Sequence, residues 1–443
     1  MVNTFGNIFR IPELRKRVLF VLGMLFVFRL GTHIPVPGID TRVMNALMNA
    51  QQGGFLGFLD LMSGGALKNF TIFSLGIMPY ISASIIIQLL TAVIPQLEAL
   101  SKEGDAGKKK LTQYTRFLTV AICIIQGTAV TSWMKSVDMG GAPLVPNQSL
   151  FFQFTSILTL TTGTVFLMWL GEQMTEFGIG NGMSMLILAG IVSRIPFEIG
   201  AMVELTRAGS LSIFQVLIYV SALIALTALA VVSQQSFRKI PVQYAQRIVG
   251  RKIYRGQSTN LPLKVDYSGV IAVIFASSLM IIPSMIAQFM ERPGQTGTIA
   301  AVLGFVNSWM APGAILYTLF YIALIIFFCY FYTAISFNPN DLAENMKKNG
   351  GFVPGIRPGQ PTAEYINNIL THITLGGAAM IVLIAVVPDL LGKWFGIGFY
   401  FGGTTILIVV GVALDTVSQI ESHLLMRHYE GFMKTGRLKG RRG

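Results

Sequence analysis

The chain has 443 residues, of which 53% are hydrophobic and 12% charged, about half the charged share of a soluble domain. That balance excludes a soluble globular protein and describes a bundle of helices whose backbone groups pair internally within lipid. A formal charge of +13 must sit in the loops, where it favours anionic partners.

In chain order, FRIPELRKRVLFVLGMLFVFRLGTHIPVPG places Arg15, Lys16 and Arg17 ahead of an apolar run. No small-residue cleavage site follows, so the run reads as an uncleaved first span over 18–34. Arg29 lies toward its outer end, from where it can snorkel to the interface. Next comes GFLGFLDLMSGGALKN, residues 54–69, far short of the roughly 20 apolar residues that a spanning helix needs. Asp60 also argues against lipid as its home. TIFSLGIMPYISASIIIQLLTAVIP, residues 71–95, follows without a charge and is long enough to cross. Further spans are expected at 114–133, 153–171, 183–200, 212–234, 268–289, 314–336, 370–388 and 399–418, giving ten with 18–34 and 73–94. The fifth is the weakest, because it holds Arg194 and Pro196 near one end. Cys123 and Cys329 fall inside apolar runs and read as small buried hydrophobes.

The lysines and arginines orient the chain. With the N-terminus cytoplasmic, the segments before the first span, at 96–113, 236–267, 337–369 and in the tail hold four, four, seven, three and six, or 24 of the 33. The other side holds six: Arg42, Lys68, Lys135, Arg207, Arg292 and Lys393. This asymmetry puts both termini in the cytoplasm. Ten spans divide into an N-terminal half, 1–200, and a C-terminal half, 212–420, joined by an outer connection at 201–211, with a basic tail at 421–443. Five is odd, so the halves start on opposite sides, and any repeat is inverted about an axis in the membrane plane. The expected fold is therefore all-α, with ten transmembrane helices in two inverted halves of five around a central path.

A secondary transporter carries ionisable residues at mid-membrane, and these spans are nearly free of them. Their mid-span polar groups are neutral: Ser82, Ser84, Gln88, Gln126, Ser277 and Ser278. Glu172 and Glu176 sit at a cytoplasmic edge, as on a solvated helix end. Ile77 and Ile81, four apart, share one helix face. That face is either lipid-facing or a constriction that blocks ions by dewetting, and spacing alone favours lipid. GDAGKKK at 104–110 lacks phosphate-loop spacing and is a basic turn, and GIGNG at 178–182 reads as a turn between spans. The four histidines form no ligand cluster with cysteine or carboxylate, so neither a metal nor another cofactor is expected. The loop FRKIPVQYAQRIVGRKIYRGQSTNLPLKVDYSGV is long, basic and interleaved with tyrosine. A projecting hairpin of this kind suits RNA phosphates or an acidic protein groove, besides anionic lipid.

Five blocks carry a resemblance: GIMPYISASIIIQLL (76–90), LMWLGEQMTEFGIGNGMS (167–184), QSTNLPLKV (257–265), FNPNDLAENMKKNGGFVPGIRPG (337–359) and FYFGGTTILIVV (399–410). Together they closely resemble the bacterial SecY family, channel-forming subunits of the protein translocase. The resemblance implies a hydrophobic pore ring of Ile77, Ile81, Ile187, Ile274 and Ile408. It turns residues 54–69 into a plug that folds back from outside, with Phe55, Leu56, Phe58, Leu59, Asp60, Leu61 and Met62 in a short helix and Ser63, Gly64 and Gly65 as its break. It implies a lateral gate between spans two and three on one side and seven and eight on the other, with Ser82, Gln88, Gln126 and Ser277 as candidates for the polar lining. Loops 236–267 and 337–369 become docking sites, with Arg251, Lys252, Arg255 and Arg357 as the cations concerned.

The function implied is a passive protein-conducting channel in the bacterial cytoplasmic membrane. It would pass unfolded secretory chains, bind signal sequences and release transmembrane segments into lipid. The implied partners are the SecE and SecG subunits, the SecA motor ATPase, the ribosome through its RNA and proteins, signal peptides and nascent chains, and anionic lipids. Two rivals are a small-solute transporter, which should show a saturable site with mid-membrane charges, and a ribosome-docking scaffold, which should not contact a secretory chain in its interior.

Overall fold

The computed structural model describes residues 11–50, 55–139, 142–146, 148–244, 247–249, 252–254, 258–290, 314–395 and 402–435. Helix α1 (Pro12–Gly31) opens on a proline, whose missing N–H would be unpaired in a first turn anyway. Two short helices follow, α2 (Thr41–Ala50) and α3 (Phe55–Met62). Helix α4 (Met78–Val93) ends before Pro95, which forces Ile94 into an extended conformation. The chain there bends by 101° into α5 (Pro95–Lys102).

The long helices then come in turn: α6 (Asp105–Ser136), α7 (Leu150–Phe177), α8 (Gly182–Arg207) and α9 (Ile213–Gln235). After a stranded insertion come α10 (Gly269–Met290), α11 (Ile315–Ser336), the short α12 (Pro339–Lys348), α13 (Gln360–Phe395) and α14 (Gly403–Thr435). Caps explain several starts. The Ser149 hydroxyl accepts from the Phe151 N–H at α7, and Ser212 with Gln215 forms a reciprocal capping box at α9.

Each of the ten apolar stretches coincides with a helix. Among the described residues, seven are long and apolar enough to cross a membrane, or eight if α4 and α5 count as one broken span. Helix α1 is set apart by Arg15, Lys16, Arg17 and Arg29. Leu150, Phe151, Phe154 and Leu158 on α7 and Ile213, Phe214, Leu217 and Ile224 on α9 are exposed. Apolar surface on this scale needs lipid against it. The protein is a multi-pass membrane protein.

The chain divides into two compact units: residues 1–84, 109–199 and 408–443, and residues 85–108 and 200–407. In the second, β3 (Phe237–Tyr244) and β6 (Ser258–Lys264) pair antiparallel from Phe237↔Lys264 to Gln243↔Ser258. Between them lie β4 (Arg247–Val249) and β5 (Lys252–Tyr254), themselves paired. Strand β7 (Gly351–Phe352) adds to the free edge of β3. Ile240, Val242 and Leu263 of this sheet bury themselves against Met346, Val353 and Ile366. The loops 236–267 and 337–369 therefore fold as one body with a core of its own.

Candidate functional site

In the first unit, the chain leaving α1 pairs with the chain entering α4. The Val36 N–H donates to the Phe70 carbonyl at 2.9 Å and the Ile72 N–H to the Ile34 carbonyl at 3.1 Å, around the bridge Pro35↔Thr71. Helices α2 and α3 thus lie on a loop clamped at its base. Phe70 sits at φ 42° with its side chain fully buried. A left-handed aromatic residue is a strained one, and here burial and the paired backbone hold it. Beside it, Phe73 stacks between Phe28 of α1 and Phe166 of α7, each ring centre 6.1 Å away. Gly31 leaves the space that the Phe73 ring fills.

The short apolar helix expected at this place is present as α3, and it runs directly into a compact turn. Gly64 and Gly65 take φ of 72° and 86°, a region open to glycine at little cost. The Gly65 N–H donates to the Asp60 carbonyl at 2.8 Å, and the Ser63 hydroxyl accepts from the Leu67 N–H at 3.3 Å. Gly64 also packs on the backbone of Gly190 in α8, where a Cβ on Gly64 would come within 2.9 Å of the Gly190 Cα. Asp60, Leu61, Met62, Ser63 and Gly64 are all buried. Leu59 is half-buried, and Phe55, Leu56 and Phe58 belong to α3 with side chains outside the described residues.

Charge holds this turn to the wall. Asp60 pairs with Arg194 of α8, and its second oxygen accepts the Lys68 N–H at 2.7 Å. Arg194 also lies 3.6 Å from Glu198, one turn along the same helix. Burial raises the Asp60 carboxyl above its ordinary value, while Arg194 and the Lys68 N–H act against the rise. Desolvation thus exceeds the attraction, as is common for buried pairs. Arg29 does not snorkel: it donates to the Gly64 carbonyl at 2.9 Å and to the Ser193 hydroxyl at 3.2 Å. Sequence reasoning treated Asp60, Arg194 and Arg29 separately. The signal was there, since an acid in a short apolar helix and a cation in a weak span each need a counter-charge.

Of the expected ring, Ile77, Ile81, Ile187 and Ile408 lie in the first unit, all buried. Ile77 stands immediately before α4, and its carbonyl accepts the Ile81 N–H at 3.1 Å. Burial removes the lipid-facing reading of that face. Ile274 lies on α10 in the second unit, half-buried.

The polar residues named for the gate differ among themselves. Ser82 and Gln126 are half-buried and Gln88 is exposed. Ser277 is buried and donates to the Val273 carbonyl at 2.6 Å. Its hydroxyl lies 3.4 Å from that of Tyr321, which is 3.0 Å from the Thr404 hydroxyl. This chain of hydroxyls joins α10, α11 and α14 within the second unit, and sequence reading had missed Tyr321 and Thr404. An aromatic hydroxyl in an apolar span was the clue available.

In loop 337–369, Arg357 is exposed while its carbonyl accepts the Thr362 hydroxyl at 2.8 Å. Lys252 lies in β5 with its side chain outside the described residues, as are Arg251 and Arg255 altogether. Glu172 is not merely solvated: it receives Arg116 through both oxygens, at 2.9 and 2.7 Å, tying α7 to α6. GIGNG is the expected turn, held by Arg17 on the Gly178 carbonyl at 3.2 Å and Gln419 on the Gly180 N–H at 2.8 Å.

The SecY family model matches residues 71–417. The chain belongs to the SecY family. Protein translocase subunit SecY of Streptomyces galbus is 48% identical over 444 residues, covering 98% of this chain and all of the relative. That of Escherichia coli K12 is 47% identical, covering 97% and 96%. Among solved structures, a protein-conducting channel aligns with TM-score 0.62 at 16% identity over 93% of each chain. A SecY structure whose plug domain is described as stabilising the closed state and maintaining a membrane seal aligns with TM-score 0.65 at 16% identity, over 93% of this chain and 92% of that one. At such identity the two likenesses speak to the fold, which is the SecY fold of ten helices in two pseudo-symmetric halves.

Proposed function

We propose that this chain is the polypeptide-conducting channel of a protein translocase, passing unfolded secretory chains across the cytoplasmic membrane and releasing apolar segments into lipid. The full-length likeness to translocase SecY subunits carries this reading. Energetics make a passive channel sufficient for sorting. Ten leucine-like residues favour lipid by roughly 3 to 6 kcal/mol, and one central lysine opposes it by about 2.5 to 3.5. A chain that can sample both phases is therefore sorted without chemistry, and the driving energy comes from a partner ATPase or the ribosome.

In this reading Ile77, Ile81, Ile187, Ile274 and Ile408 form a dewetted ring, residues 54–69 are the plug beneath it, and Ser82, Gln88, Gln126 and Ser277 line the lateral gate. The halves are 1–200 and 212–420, with both termini in the cytoplasm. Loops 236–267 and 337–369 receive the motor or the ribosome. A channel of similar fold, Sec61 of a canine ribosome-channel complex from the endoplasmic reticulum, aligns with TM-score 0.59 at 16% identity and supports the ribosome as a partner. SecE and SecG subunits complete the assembly, and anionic lipid faces the basic loops.

The test is reconstitution with those subunits and the SecA motor in vesicles. A secretory precursor should become protease-protected in an ATP-dependent way, and vesicles lacking this chain should protect none. Equal protection without the chain would reject the reading, as would saturable uptake of a small solute without any precursor transport.

A further inference from the structure

Arg194 faces two carboxylates and can satisfy both only while residues 54–69 are seated. Asp60 approaches from α3, and Glu198 stands one turn along from Arg194 on α8, 3.6 Å away. All three are withdrawn from water, with side chains 3%, 23% and 17% exposed for Asp60, Arg194 and Glu198. Among the described residues, the other charged groups around them are Lys68, whose backbone N–H holds the other Asp60 oxygen, and Arg29, which grips the Gly64 carbonyl. The arginine and Glu198 share one helix, so that pair persists wherever the plug goes. Asp60 alone departs.

We propose that Glu198 is a built-in competitor for Arg194, which takes over the arginine when the plug leaves and so makes the plug releasable. The inference rests on reading residues 54–69 as a plug. With Asp60 as sole partner, departure of the plug would strand a half-buried guanidinium, and breaking a buried pair by removing one member is strongly unfavourable. With Glu198 in place, departure exchanges one carboxylate for another and relieves the crowding of two negative groups. Seating is then held by backbone packing at Gly64 and Gly190, by the Arg29 contact and by the Asp60 pair, and on release the Arg194–Glu198 pair offsets the loss of the Asp60 pair. Removing Glu198 should trap the plug, whereas an ordinary stabilising residue would loosen it when lost.

The measurement is the open probability of the complete complex in planar bilayers with a synthetic signal peptide added. Glu198→Gln should lower it by a factor of about ten, as loss of one charged hydrogen bond in the open state implies. Glu198→Asp, which keeps the charge on a shorter arm, should fall between the two. In an Asp60→Asn background the Glu198→Gln effect should vanish, because Arg194 then has the same partner in both states. Deleting residues 55–68 separates the two claims: a leaky channel whose conductance ignores Glu198→Gln upholds both. Unchanged or raised open probability in Glu198→Gln, with the deletion still leaky, would overturn the exchange and leave the plug standing. A deletion that stays tight would overturn both.

Discussion

Residues 54–69, proposed as the plug, and the body formed by loops 236–267 and 337–369, proposed as the docking surface, are both insertions between spans, and they keep their shapes by different means. The docking body has its own small core, Ile240, Val242, Leu263, Met346, Val353 and Ile366, under a three-stranded sheet. It presents Arg357 at its surface, and its core comes from the two loops and the first turns of α13. The plug segment is too short to have a core. It borrows one, through the clamp at Pro35 and Thr71, the Phe28–Phe73–Phe166 stack and the pairing of Asp60 with Arg194. A self-sufficient insertion suits a fixed landing surface. One that also depends on contacts with neighbouring helices suits a segment that can be withdrawn.

The largest effect should come from removing the borrowed element altogether. Deleting residues 55–68 leaves both ends of the clamp, so the complex should assemble while its resting ion conductance rises manyfold in planar bilayers. A seal as tight as the parent's would show that the segment is not a stopper. Next, Arg357→Glu should cut SecA-driven or ribosome-driven export severalfold or more while the channel still inserts and assembles, because the cation is exposed. Export at the parental rate would deny the docking body its role.

Smaller effects separate the two kinds of stability. Phe73→Ala takes a fully buried ring out of the stack, a loss of about 3 to 5 kcal/mol for a core aromatic. The added lability should appear first as protease cleavage within 34–72, with the docking body untouched. At the other end, the Asn338 side chain accepts the Asn340 N–H at the start of α12. Asn338→Ala should cost about 0.5 to 2 kcal/mol, read as faster amide exchange in α12 alone. If it also loosened the plug segment, the two insertions would not be independent.

The two regions also differed in how far sequence revealed them. The docking hairpin was legible from local chemistry, as a basic, tyrosine-bearing stretch between apolar runs, and its pairing of β3 with β6 is close along the chain. Even there the joining of both loops through β7 was not visible, because two residues make no strand signal. Residues 54–69 were legible as a helix unable to span, and family resemblance supplied the role. The counter-ion of Asp60 lay 134 residues away, beyond any local pattern. Arg29 was misplaced for a related reason: a cation near a helix end can reach water, and only the packed turn at Gly64 offers it a better acceptor. For Ile77 and Ile81 spacing alone favours lipid, whereas the fold buries both, since lipid and a protein interior demand the same side chains.

One measurement reaches the channel assignment itself. A photo-crosslinking residue placed at Ile81 or at Ile274, with a secretory precursor arrested midway through an active complex, should give adducts between the precursor and both positions. An assembled and export-competent complex that yields adducts at neither position would contradict a polypeptide path past these isoleucines.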